Sequence, residues 1–139
     1  MNYWLVKTEP EEYGYADLVQ KGRDRWNGVR NPVAQKHIRS MKPGDLVFIY
    51  HTGKEKSIVG VAEVVSGSYP EVEAPRFATV DLEPRYALNR AVTLKEIKAN
   101  PVFEGWELVR LSRLSVMPVN REHWNLIHGI SGTRNLVPC

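Results

Sequence analysis

The chain contains one cysteine in 139 residues, Cys139 at the last position. A disulfide within the chain and a cysteine-based zinc cluster are therefore both excluded. Long apolar runs are missing too. The longest, around Leu46 to Tyr50, is far too short to cross a bilayer, and "MNYWLVKTEP" opens as a strand without the basic-then-apolar pattern of a signal peptide. These features predict a cytoplasmic protein that does not engage a membrane. Repeats, low-complexity tracts and linker-like stretches are lacking as well, so the length is assigned to a single domain, residues 1–139.

Catalytic and metal signatures are equally sparse. "HTGKEKS" contains Gly53-Lys54, but a phosphate-binding loop needs a glycine where Phe48 stands and a serine or threonine where Glu55 stands. His37, His51, His123 and His128 show no metal-ligand spacing, because His123 and His128, five apart, point to different sides of a helix. No metal and no cofactor is expected. Asp45 and Glu63 have plain readings as turn and strand-surface carboxylates.

What is present is an ordinary globular composition, 42% hydrophobic and 25% charged, which can bury a core and should fold. The net charge of +3 suits a phosphate-bearing partner without requiring one. "YWLVKT", Tyr3 to Thr8, reads as a buried strand ended by Glu9-Pro10. Tyr15 to Gly22 reads as a helix with Tyr15, Leu18 and Val19 on one face and Gly22 just past its end. "NPVAQKHIRSM" offers Asn31 as N-cap and Pro32 at the first helical position, with Val33, His37 and Met41 aligned on one side.

Further along, the "KPGD" turn leads into a strand from Leu46 to Gly53, which pairs as a hairpin with a second from Ser57 to Tyr69. Gly60 inside the latter marks a bulge or a close approach. Phe77 to Leu88 alternates a wet face (Phe77, Thr79, Asp81) with a dry one (Ala78, Val80, Leu82), and Pro84 suggests an edge or break. Thr93 and Glu96 form a capping box for a short helix that Pro101 stops. Leu108 to Val119 reads as a strand, and Asn120 to Gly129 as a helix with Trp124 and Ile127 on one face. About five strands with short helices between the first and second, and no alternating run of parallel strands, point to a small mixed α+β barrel.

The residues that stand out are aromatic and planar. Of four tryptophans, Trp4 and Trp124 lie within regular elements and suit the core. Trp26 lies in a loop, "RWNGVRNP", beside Asn27, Gly28, Arg30 and Asn31. This grouping can stack on a planar ligand and read its edge, the arrangement used for splayed or flipped bases. Asn31 has the competing role of helix cap, and the helix start itself points amides towards whatever fills the loop. Tyr50 and His51 end a strand expected to lie against the first one, so they share a rim with Lys7 and Thr8. Arg23, Arg25, Arg30, Lys36 and Arg39 concentrate around the loop and the following helix, where they either track a phosphate backbone or cover a solvated face.

Four ordered stretches, "WLVKTEP", "WNGVRNPVAQKHIRSMKPGDLVFIYHTG", "IVGVAEVVSGSYP" and "LSRLSVMPV", together resemble the EVE domain over Asn2 to Gly129. That resemblance implies a PUA-like fold, a small β-barrel of five to six strands with peripheral short helices, related to YTH domains that hold a methylated base in an aromatic cage. It also implies a non-catalytic reader of nucleic acid, DNA or RNA, carrying a modified base such as a modified cytosine. Trp26 then corresponds to the cage tryptophan, and Asn27 and Gly28 offer backbone groups to the base. Arg30 and Asn31 belong to the family's "GVRN" motif, and Lys7, Thr8, Tyr50 and His51 occupy its other motif positions near the pocket. Tyr50, Tyr69 or Trp4 would supply a second wall, and Arg23, Arg25, Lys36 and Arg39 the phosphate contacts. The alternatives are an enzyme acting on RNA or a nucleotide, with His51 or Lys7 as acid or base, and an adaptor that binds a small ligand or a protein at the same rim.

Overall fold

The computed structural model describes residues 1–135; Cys139 lies outside the described residues. The β-branched and aromatic run Tyr3–Thr8 forms β1, whose centre is fully enclosed. The chain then leaves the sheet through helix α1 (Tyr15–Lys21), the two-residue strand β2 (Asp24–Arg25) and helix α2 (Pro32–Ser40). It returns as β3 (Leu46–His51) and turns back as β4 (Ser57–Val64). A small hairpin, β5 (Tyr69–Pro70) and β6 (Ala78–Thr79), precedes the long strand β7 (Asp81–Thr93). Helix α3 (Leu94–Ala99), helix α4 (Glu107–Arg110), strand β8 (Val116–Val119) and helix α5 (Arg121–Ser131) complete the order.

Six strands make one curled sheet, a half-barrel in the order β2-β7-β4-β3-β1-β8. The expected β3–β4 hairpin is antiparallel. β1 and β3 pair in parallel, with Lys7 opposite Tyr50 and Thr8 opposite His51, so α1, β2 and α2 form the crossover that parallel neighbours require. The sequence placed Tyr50 and His51 on one rim with Lys7 and Thr8, and this parallel pairing brings the two strand ends together there. Among the described residues no helix is long and apolar enough to cross a membrane.

Local signals placed the elements well where they were chemically specific. Asn31 accepts from the Val33 and Ala34 N–H groups, as an N-cap should, and Thr93 and Glu96 form the reciprocal capping box. Gly22 closes α1 in the left-handed conformation, φ 76°. Gly60 is where β4 loses regular register with β7, and the Tyr15 ring lies directly on it. Trp124 is fully buried, stacked between Phe48 at 4.0 Å and Tyr3 at 4.6 Å, and pins α5 to the sheet.

Three expectations need correction. Val19 and Val33 are exposed, because α1 turns Tyr15 and Leu18 inward and α2 turns Ala34, Gln35 and Ile38 inward. The stretch from Leu108 to Val119 begins as the single helical turn α4, and only Val116–Val119 is strand. The strand expected from Phe77 breaks at Val80, and Thr79 on the supposed wet face is fully buried. Pro84 takes the edge position its ring suggested: β7 runs on through it, β4 pairs with it at Ala62, and on the other side β2 reaches only Leu82 and Asp81.

Candidate functional site

The loop after β2 owes its shape to three anchors. The first is the ladder itself: Arg25 pairs with Asp81, and the Trp26 N–H donates to the Val80 carbonyl at 2.9 Å. The second is Glu71, a buried carboxylate that accepts from both Arg30 terminal nitrogens, at 2.8 and 3.0 Å, and from the Gly28 N–H at 3.2 Å. The third is Gln35, buried on α2, whose amide donates to the Val29 and Ala78 carbonyls and accepts from the Ala78 N–H. Gly28 has φ +88°, a conformation an L side chain adopts only under strain, and this turns the loop back across the sheet edge.

Between this loop and the end of β1 lies a cleft of about 290 Å³, lined by Lys7, Thr8, Tyr13, Trp26, Asn27 and Gly28, with Asp24, Arg25, Val29 and Ser115 around them. Its size is at the lower end of small-ligand pockets, about 300 Å³ and upward, and suits one planar ring system. Trp26 is 8% exposed and meets the Tyr13 ring edge-on, centroids 6.1 Å apart at 78°. The indole is thus part of the wall and part of the core. The Tyr13 hydroxyl is buried beside the Asp24 carboxylate. Burial, and then the neighbouring Asp24 carboxylate, push its ionisation far above the usual phenol range, so it stays a neutral O–H donor. Burial alone would raise Asp24, but the Tyr13 hydroxyl, the Arg25 N–H and Lys21 hold its carboxyl below the ordinary value, so the cleft carries one anion. The Thr8 hydroxyl donates to the Tyr13 carbonyl at 2.5 Å, which ties the end of β1 to the aromatic wall.

Cations sit at the margin. Lys7 donates from Nζ to the Ser112 carbonyl at 2.9 Å, and burial lowers its pKa. Arg25 forms no salt bridge among the described residues, which leaves its guanidinium available.

Of the residues singled out in the sequence, Lys7, Thr8, Arg25, Trp26, Asn27 and Gly28 converge on this cleft. The others do not. Arg30 is clamped by Glu71 and stacks on the Phe77 ring at 4.1 Å, so it braces the loop and does not face a ligand edge. Asn31 spends its side chain on the cap, and because that oxygen takes the Val33 and Ala34 N–H groups while the Asn31 carbonyl takes that of Gln35, the helix start offers no free amides. Tyr50 is buried in a separate depression with Lys7, whose Nζ lies 5.6 Å from its ring. His51 accepts from the Tyr15 N–H at Nε2, which puts its ring proton on Nδ1, directed at Glu55; both nitrogens are committed. Arg23 is paired with Asp81 and Glu83, Arg39 donates to the Arg76 carbonyl, and Lys36 is exposed on α2 away from the cleft lining.

The second aromatic beside Trp26 is Tyr13, whereas Trp4 is buried with its Nε1 on Asp45, and Tyr69 hydrogen-bonds Asp81. Tyr13, Ser115 and Glu71 went unread in the sequence. Tyr13 had one available signal, its place just before the first helix, whereas Ser115 and Glu71 arrive from remote segments. No group of three or more His, Cys, Asp or Glu side chains able to hold a metal occurs among the described residues.

A curled half-barrel sheet with helices α1 and α2 crossing between its two parallel strands, and a cleft at their rim, defines a protein of the PUA-like class. Residues 2–130 match the model of the EVE domain, and the chain belongs to that family. It is 39% identical to the protein Rpa0253 of Rhodopseudomonas palustris, whose structure superposes with a TM-score of 0.90 over 95% of this chain and 94% of that one. Thymocyte nuclear protein 1 of Mus musculus is 27% identical, covering 95% of this chain and 74% of the mouse protein. The fold also matches human THYN1 protein in complex with 5-methylcytosine-containing DNA, at 24% identity and a TM-score of 0.88, over 96% of this chain and 99% of that one.

Proposed function

We propose that this protein is a non-catalytic reader of nucleic acid, which takes one extruded base, a modified cytosine, into the cleft whose wall Trp26 and Tyr13 form. The observation that carries the reading is the cleft itself: two aromatic rings set edge to face, a buried Tyr13 hydroxyl beside Asp24, and an Arg25 without a salt bridge among the described residues. The Gly28 amide is already held by Glu71, so edge recognition falls to Tyr13, Asn27 and Thr8. Human THYN1, a member of the same fold, has been captured with DNA containing 5-methylcytosine, which supports nucleic acid as the ligand class. Against the enzyme alternative, His51 has no free nitrogen and Lys7 is bonded to a carbonyl, so neither residue offers a ready acid or base.

Energetics limit what such a site can achieve. Stacking contributes about 1–3 kcal/mol per base. A cytosine methyl buried against Val29 and the rings adds only about 0.8 kcal/mol, roughly a fourfold preference. Discrimination should therefore be modest. Because Trp26 is largely core, Trp26→Ala would cost about 3–5 kcal/mol of stability, and Trp26→Phe is the cleaner probe. Fluorescence anisotropy with oligonucleotides carrying cytosine or 5-methylcytosine tests the reading. Wild type should prefer the methylated strand, and folded Trp26→Phe should bind it about tenfold more weakly. Equal binding to both strands, unaffected by this change, would exclude the cleft as the reading site.

A further inference from the structure

Next to the cleft lies a second depression, about 380 Å³, formed between the start of α2 and the segment that leaves α4. The two hollows share their walls. On one side Val29 faces the cleft while Asn31 and Val33 face the groove. On the other, Ser115 faces the cleft while Arg110, Leu111 and Arg113 face the groove. Lys7 stitches the junction, donating from its backbone to the Ser115 carbonyl and from Nζ to that of Ser112. The hollows are therefore two compartments of one crevice. Ser115 lies three positions beyond Ser112, at most about 10 Å of chain, which is the reach of one to three nucleotides along a strand.

The groove is chemically unlike the cleft. Val33 and Leu111 are exposed apolar side chains, at 50% and 39%, and both lie in it. Two arginines flank them and no carboxylate lines the surface. Arg110 spends one N–H on the Gly105 carbonyl, at 3.3 Å, and the Arg113 guanidinium has no partner among the described residues. Apolar patches beside guanidinium groups that have no carboxylate partner among the described residues match a chain of phosphates joined by flat, weakly polar faces.

We infer that this groove holds the nucleotides flanking the base in the cleft, with Arg110 and Arg113 on their phosphates and Val33 and Leu111 against a sugar or base face. The inference rests on the reading of the cleft given above. It assigns phosphate contact to Arg110 and Arg113 rather than to Arg23, whose carboxylate partners already occupy it.

The test compares wild type with Arg110→Ala/Arg113→Ala, using free 5-methyl-2′-deoxycytidine, which fills only the cleft, and a single-stranded 9-mer with one central 5-methylcytosine. Affinities are measured by titration over a salt series. Nucleoside affinity should stay within about twofold, while 9-mer affinity falls about tenfold and its logarithmic salt slope shrinks by about 1.4, two phosphates at about 0.7 each. Arg113→Lys should keep the slope. If the 9-mer binds the double variant with unchanged affinity and slope, the groove does not hold the strand, as expected were it a protein-docking surface. If wild type fails to bind the nucleoside, the cleft reading falls and takes this inference with it.

Discussion

Adding a single methyl group at Gly60 tests how the crossover helix is seated. An ideal Cβ there would lie 2.6 Å from Tyr15 Cε1 and Cζ and 2.9 Å from Cδ1, distances that real contacts do not tolerate. The ring has no easy escape: it is 7% exposed, its hydroxyl donates to the Val61 carbonyl at 2.9 Å, and its backbone N–H donates to His51. Either α1 lifts or β4 bends. Overpacking of this kind costs about 1–3 kcal/mol, and loss of the Tyr15–Val61 hydrogen bond adds about 1 kcal/mol, so Gly60→Ala should be destabilised by about 2–4 kcal/mol. At about 3–5 °C per kcal/mol for a domain of this length, circular dichroism should show Tm falling by about 6–20 °C. Tyr15→Ala in the Gly60→Ala background removes the clash, so the double variant should lose about 1–2 kcal/mol less than the sum of the singles. Strict additivity, or a single variant that melts within about 2 °C of wild type, would refute the packing argument.

The N-cap is tested by Asn31→Ala, which should cost about 1 kcal/mol and be largely restored by Asn31→Asp, read from thermal melts. Glu71→Gln should loosen the loop without removing a ligand contact: amide exchange at Gly28 should speed up about tenfold, with the rest of the sheet unchanged. Glu96 carries a pH signature. Its carboxyl is pulled from the ordinary 4.5 to about 2, first by Arg90 and then by the Thr93 N–H. A carboxyl lowered on folding contributes stability that is complete above pH 4.5 and disappears as pH falls towards 2. The drop in Tm across that window should therefore be smaller in Glu96→Gln than in wild type, and an identical drop would contradict it.

What could be read from the sequence was whatever is decided within a few residues. The Asn31-Pro32 start, the Thr93/Glu96 box, the Lys42–Asp45 turn and the Gly60 anomaly each rest on local chemistry, and each is present. The face a short helix buries is decided by what it packs against. Ala34 and Ile38 win over Val33 because α2 lies along β8 and β6, which periodicity over nine residues cannot reveal. Leu108–Arg110 fits strand and helix patterns equally over so short a run. The cleft was legible only in the half carried by one segment, Trp26 to Gly28, and in the parallel β1–β3 partnership that puts Lys7 and Thr8 at its rim. Arg30 looked like a ligand contact because its partner, Glu71, lies 41 residues away and arrives only through the β5–β6 hairpin. Tyr13 and Ser115 were hidden for the same reason, as contacts made by tertiary structure alone.

A modified base held in the cleft against Trp26 and Tyr13 should perturb the groups that line it. The most direct measurement is an ¹⁵N-labelled NMR titration with a single-stranded oligonucleotide carrying one 5-methylcytosine. The Trp26 indole N–H and the Asn27, Gly28 and Thr8 amides should shift first and saturate together, at about fourfold lower concentration than with the unmethylated strand. Shifts confined to other surfaces, with these four signals unmoved at saturation, would contradict it.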